Sequence, residues 1–375
     1  DPLQTGRELN RIHRPKFPTV LFGITVILTL VGIVMQGILL SHMEMVGAEN
    51  YLRNTILYNG IGLLLILGLL YGNYMKLVRF SYGLTALFIA AGLAGSMLGT
   101  HMWSGSYHDR YEAVYLLWMF LPVLYALLLY RMRTLSWKVI LILDAVYLAA
   151  VLLLSKDITC SAGMMEAFLL SIVILFLAIK RGILPGKKRL LYLAADGLPD
   201  GKRGDRLYWQ EQHGFSLLGG GKISEALLFT SDQNNGTWSL SQESCTTYII
   251  HSIFLWFGII VGVLVIVALF AFALYALRVA LRQSNRAALL LGSVCSLSIL
   301  LRIVNAVLVN FGFGIYYTIS IPFLAYGLGN CLANSLMVGV ILCVFRNSNV
   351  MMEELERKIS IQTADIKRRE TKTES

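Results

Sequence analysis

Charge is scarce in this sequence: only 14% of its 375 residues are Asp, Glu, Lys or Arg, against 56% apolar, and mean hydropathy reaches +0.66. Soluble domains of ordinary composition carry about a quarter charged residues, so the solvent for most of this chain is lipid. Metal-ligand and paired-cysteine spacings are missing as well. The five cysteines are scattered without a C-x-x-C pair. Cys295, Cys331 and Cys343 fall in apolar runs and read as small packing residues, which leaves Cys160 and Cys245, beside expected outer loops, as the pair placed to bridge. No nucleophile, base and orienter emerge from residue spacing. Gly219-Gly220-Gly221-Lys222 lacks the Walker spacing and preceding strand of a phosphate loop, and Asn235-Gly236-Thr237 reads as a chance glycosylation sequon. No cofactor motif is present, and a divalent metal stays open. A cleavable signal pattern is also lacking, and because the chain opens at Asp1 without a methionine, removed upstream residues are an expectation.

The net charge of +10 sits in short clusters between apolar runs instead of in one stripe. That is the positive-inside pattern of a membrane protein and argues against nucleic acid. The apolar runs, of about 18 to 30 residues, are each long enough to cross a hydrocarbon core, and lipid offers an open backbone no partner, so they must be helices. The expected fold class is therefore an all-α integral membrane protein, a polytopic helical bundle. Nine spans are clear, near 18–41, 54–74, 80–99, 113–130, 138–154, 164–179, 247–277, 287–312 and 318–345.

Cations assign the sides. Arg7, Arg11, Arg14 and Lys16 place the N-terminus in the cytoplasm; the clusters at Lys76 and Arg79, at Arg131, Arg133 and Lys138, at Lys180 to Arg189, and at Arg278, Arg282 and Arg286 mark the inner side, as does Arg346. Nine crossings cannot join two cytoplasmic ends. A tenth, short or re-entrant passage is expected between 180 and 246, using Leu190 to Ala195 or Phe215 to Phe229. The organisation is then a membrane domain over 1–346, interrupted by a long polar loop at 180–246 that reads as largely extracytoplasmic, and a charged cytoplasmic tail at 347–375.

Ionisable groups inside spans are costly and face a cavity or a partner. Arg302 sits mid-span with Asn305 one turn on and Asn310 beyond, a polar stripe that fits cavity lining and interhelical hydrogen bonding equally well. Asp144 and Glu166 lie nearer span ends and read as pairing or snorkelling groups, and His251 has no neighbour at metal spacing. The outer loop at 100–112 holds Trp103, Tyr107, Asp109, Arg110 and Glu112, a denser set than interface anchoring needs.

Several landmarks follow one order. Ile321-Pro322-Phe323-Leu324-Ala325-Tyr326-Gly327-Leu328-Gly329-Asn330 resembles L-P-F-I-S-Y-G-G-S-S, with Asn305 upstream of it; Lys156 to Ala162 resembles Q-P-D-L-G-T-A, keeping Asp157; the 100–112 loop resembles G-A-x-R-W…Q-P-S-E, keeping Trp103 and Glu112; and Tyr208-Trp209-Gln210 with Gly219 to Gly221 resembles G-Y-Q…G-S-G-G-L-x-G-x-G. Each of these is a landmark of the shape, elongation, division and sporulation family of bacterial membrane proteins, the FtsW/RodA/SpoVE type. The resemblance spans most of residues 15–346.

Membership would imply ten spans in the bacterial cytoplasmic membrane. It would also imply peptidoglycan synthesis for cell division or shape, in which glycan strands are polymerised from lipid-linked disaccharide beside a partner transpeptidase of the division or elongation machinery. It would place substrate near Trp103, Glu112, Arg302, Asn305, Pro322, Tyr326 and Gly327. The family's key acid opens the eighth span in P-E-x-x-T-D-F-I-F; here Gln242 to Ile250 puts Thr247 in its place. Tyr115 replaces the family's lysine, and Phe254 to Gly258 replaces G-E-E-L-G. A hydroxyl cannot act as a carboxylate base at neutral pH, and a general base contributes about 10²- to 10⁴-fold in rate. The readings are thus a divergent polymerase using Glu243 or Asp157, a catalytically silent scaffold or precursor-binding relative, and a lipid or small-solute transporter, although no inverted repeat supports the last.

Overall fold

The computed structural model describes residues 17–41, 48–72, 74–87, 90, 120–131, 158–183, 229–231, 238–240, 249–283, 285–311, 321–324 and 326–347. In chain order these form helices α1 (Thr19–Ser41), α2 (Ala48–Leu70), α3 (Tyr74–Arg79, continuing beyond Phe80 through 81–87), α4 (Phe120–Arg131) and α5 (Ile158–Lys180). Two short strands follow, β1 (Phe229–Ser231) and β2 (Trp238–Leu240), then helices α6 (Ile249–Leu281), α7 (Arg286–Asn310) and α8 (Leu328–Asn347). Among the described residues five helices are long and apolar enough to cross a membrane: α1, α2, α6, α7 and α8. The polytopic α-helical reading therefore holds. The antiparallel pairing of β1 with β2, Thr230 opposite Ser239, lies within the long polar stretch and departs from an all-α chain.

α7 is the centre. It packs along α6 and touches α5 and α3, while α1 bridges α2 and α6. Lipid tails are as apolar as Leu, so burial of apolar area cannot hold two spans together; small side chains that let backbones approach can. α6 accordingly turns Leu269, Phe272, Ala273, Ala276 and Ala280 inward at helical spacing and leaves Ile260, Leu264 and Val267 outward. Gly292 of α7 lies against Ala280 on one side and Val344 of α8 on the other. Asn285 starts α7, its Oδ1 accepting the free amide hydrogen of Ala287 at 2.9 Å.

Two interruptions change the boundaries read from hydropathy. α6 breaks at Gly258, whose φ of 81° and ψ of 172° are open to glycine alone. The final span, expected from 318, begins only at Leu328, because Ile321–Leu324 forms a turn with Phe323 at φ 70° and Gly327 at φ 127°. That turn rests on α1: the carbonyl of Phe323 occupies the space a Cβ at Gly32 would fill, and Gln36 Nε2 donates to the Leu324 carbonyl. α2 and α5 each begin about six residues before the positions apolarity alone marks, since Ala48 to Arg53 and Ile158 to Gly163 are helical despite their polar content.

The basic clusters meet on one face. Arg131 Nη1, ending α4, donates to the carbonyl of Arg79, and its guanidinium covers the Tyr82 ring at 4.5 Å. Arg181 donates to the last carbonyl of α6, Leu281, at 3.1 Å, and Arg346 to that of α2, Leu70, at 2.9 Å. Cations at helix C-termini satisfy orphan carbonyls and complement the dipole. α5 and α6 thus end side by side on this face and run parallel. The tenth passage expected between 180 and 246 falls largely on residues outside those described. Leu190 to Ala195 lies outside the described residues, as does Phe215 to Phe229 except for Phe229 itself, which opens β1.

Candidate functional site

At mid-span, with no exposed surface, the Arg302 guanidinium joins α7 to α8: Nη1 donates to Asn334 Oδ1 at 2.7 Å, and Nη2 reaches Ser298 Oγ at 3.3 Å and Met337 Sδ at 2.7 Å. Of the two readings of the Arg302 stripe, interhelical hydrogen bonding is realised. Asn310 further along does the same toward α6, its Oδ1 accepting from the backbone of His251 at 2.9 Å while its own amide donates to Ala306 at 2.8 Å. Asn305 is half-buried one turn from Arg302.

Asn334 has a second face. Together with Thr29 of α1, Asn59 of α2 and Ser335 it lines a partly open cavity of about 20 Å³, whose remaining wall is formed by Leu63, Ile66, Phe323 and Cys331. Thr29 and Asn59 spend hydrogens on the carbonyls one turn back, at Thr25 and Thr55, and so turn oxygen lone pairs to other partners. Cys331 Sγ lies 3.8 Å from Asn59 Oδ1. Toward the outer end of the α2–α8 seam, Tyr326 stacks on Tyr51 with ring centroids 3.7 Å apart and has Tyr58 at 5.9 Å. Pro322 is buried in the turn, and Gly327 starts the last helix, its carbonyl accepting from Cys331 N at 3.0 Å.

The structure thus gathers Arg302, Pro322, Tyr326 and Gly327 around α8 and places Asn305 on the neighbouring helix. Trp103, Glu112, Asp157, Glu243 and Thr247 lie outside the described residues, as do Asp144, the side chains of Glu166 and Cys160, and Cys245. Sequence reasoning missed Asn334, Asn59 and Gln36 because it searched spans for ionisable groups. Their signal was present: Thr55 with Asn59, and Asn330 with Asn334, are neutral polar pairs four apart on one helical face. Among the described residues no group of three metal-ligating side chains occurs.

Helix order, the parallel α5 and α6, and a central span tied by buried hydrogen bonds define a polytopic α-helical membrane protein. No family model and no curated sequence matches the chain. Its fold is similar to the rod shape determining protein RodA of Thermus thermophilus, in an aspartate-to-alanine mutant (TM-score 0.54, 17% identity, 87% of this chain and 97% of that one). The same holds for RodA without that mutation (TM-score 0.52, 17% identity, 88% and 97%). It is also similar to a chain in a structure on the coordination of polymerization and crosslinking by a peptidoglycan synthase complex (TM-score 0.52, 16% identity, 88% and 98%). At such identities the likeness is one of fold, and it agrees with the family resemblance of the motifs.

Proposed function

We propose that this chain works in peptidoglycan synthesis at the bacterial cytoplasmic membrane, in cell division or shape control, and binds the lipid-linked disaccharide precursor beside a transpeptidase-type partner. The observation that carries the reading is the fold likeness to RodA over nearly the whole of both chains, supported by the motif around Pro322, Tyr326 and Gly327. If it polymerises, Glu243 or Asp157 takes the place of the acid lost at Thr247. A catalytically silent relative is the second reading. It is favoured by that threonine and by Phe254, which packs edge-on against Phe311 at 5.9 Å in the stretch that replaces G-E-E-L-G.

The test is to incubate purified protein in liposomes with labelled lipid-linked disaccharide, next to RodA as active control. Polymer that disappears in Glu243→Gln assigns the base. No polymer, with binding of the precursor retained, makes the protein a holder or regulator, and absence of both polymer and binding overturns the proposal.

A further inference from the structure

The cavity between α1, α2 and α8 is lined by four neutral polar side chains, Thr29, Asn59, Asn334 and Ser335, and by apolar neighbours, one side chain away from a guanidinium in the middle of the bundle. Its donor and acceptor set is mixed. Thr29 presents an oxygen whose hydrogen is committed to Thr25; Asn59 commits its amide to Thr55 and accepts from the Cys331 thiol with one of its two oxygen lone pairs; Asn334 accepts from Arg302 through Oδ1, which leaves its amide hydrogens to give; and the Ser335 hydroxyl can do either. A cation is disfavoured there by Arg302, and the lining holds no carboxylate. About 20 Å³ exceeds the roughly 10–15 Å³ that one water requires, and two to four polar partners are what a buried water needs.

We infer that this cavity is a site for one or two ordered waters, and that through Asn334 it solvates the Arg302 charge at mid-membrane. A charged residue inside a bundle survives by facing partners or a water-filled space. Here Asn334 supplies both: its oxygen holds the guanidinium, and the same side chain lines the cavity. The inference does not depend on the proposed function.

Pulsed X-ray radiolysis of the full-length protein in nanodiscs tests it, because radicals made from a bound water oxidise the side chains beside that water. Cys331 borders the cavity and is half-buried, whereas Cys295 is a fully buried thiol on α7 outside its lining, so the deciding comparison is Cys331 in the wild type against the cavity variants. The expected result is oxidation of Cys331 at least about tenfold faster than of Cys295, with Phe323 also modified, and a fall of about fivefold at Cys331 in Asn59→Leu and in the milder Ser335→Ala. Equal rates at the two thiols, or a Cys331 rate that neither variant changes, would overturn the site.

Discussion

α6 and α7 lie side by side and could hardly be used more differently. α6 is the more apolar of the two, with a window hydropathy of 3.0 against 2.2, yet 28% of that window is buried against 78% for α7. In water the order would be reversed. In lipid the helix that can be left outside is the one without polar atoms to satisfy, and the helix carrying Arg302 and Asn310, which bond Asn334 of α8 and the His251 amide of α6, is drawn to the centre because only protein can bond to those groups. α8, with Asn330 and Asn334, follows α7 inward at 72% buried. α2 is the instructive departure: its window hydropathy is only 1.4 and it is still just 17% buried, because Thr55 and Asn59 fall on the single stripe that meets α8.

The contrast can be broken most severely at the central pair. Asn334→Leu removes the acceptor 2.7 Å from a buried guanidinium and should cost about 3–5 kcal/mol, read as a large fall in thermal stability in detergent. The double variant with Arg302→Met sharpens the point: if the penalty comes from the stranded charge, the pair together should cost less than Asn334→Leu alone, and strict additivity would refute that account. Next in size is Gly32→Ala on α1, where the new methyl meets the Phe323 carbonyl; overpacking of this kind costs about 1–3 kcal/mol and should loosen the turn before α8, seen as faster proteolysis near Pro322. Smallest is Ile260→Ala on the outward face of α6, 77% exposed, where the change should stay within about 0.5 kcal/mol. A large loss there would mean that this face is covered by protein.

Much of this arrangement was legible beforehand, and the failures have physical causes. The apolar runs near 18–41, 247–277 and 287–312 reappear as α1, α6 and α7, because length and hydropathy are what lipid selects. The grouping of the cations was legible too, since Arg131, Arg181 and Arg346, read as marks of one side, end up bonded at one rim. Hydropathy cannot see backbone geometry, so the Gly258 break and the turn around Phe323 were smoothed into continuous spans. Nor does it rank helices by depth. Arg302 announced itself by its charge, whereas Asn334 and Asn59, neutral and singly unremarkable, acquire meaning only when α2 and α8 are brought together.

Arg131, Arg181 and Arg346 bring two selective pressures to bear on the same atoms. While the chain is being threaded into the bilayer, their charge decides which loops are retained on the synthesising side; once the helices have assembled, the same guanidiniums become the latches that close the ends of α3, α6 and α2. Lysine would serve the first task and serve the second poorly, lacking the planar fork that bonds a carbonyl while covering a tyrosine ring. Biogenesis and architecture therefore constrain these positions together, and exchange to lysine should spare orientation while loosening the inner rim.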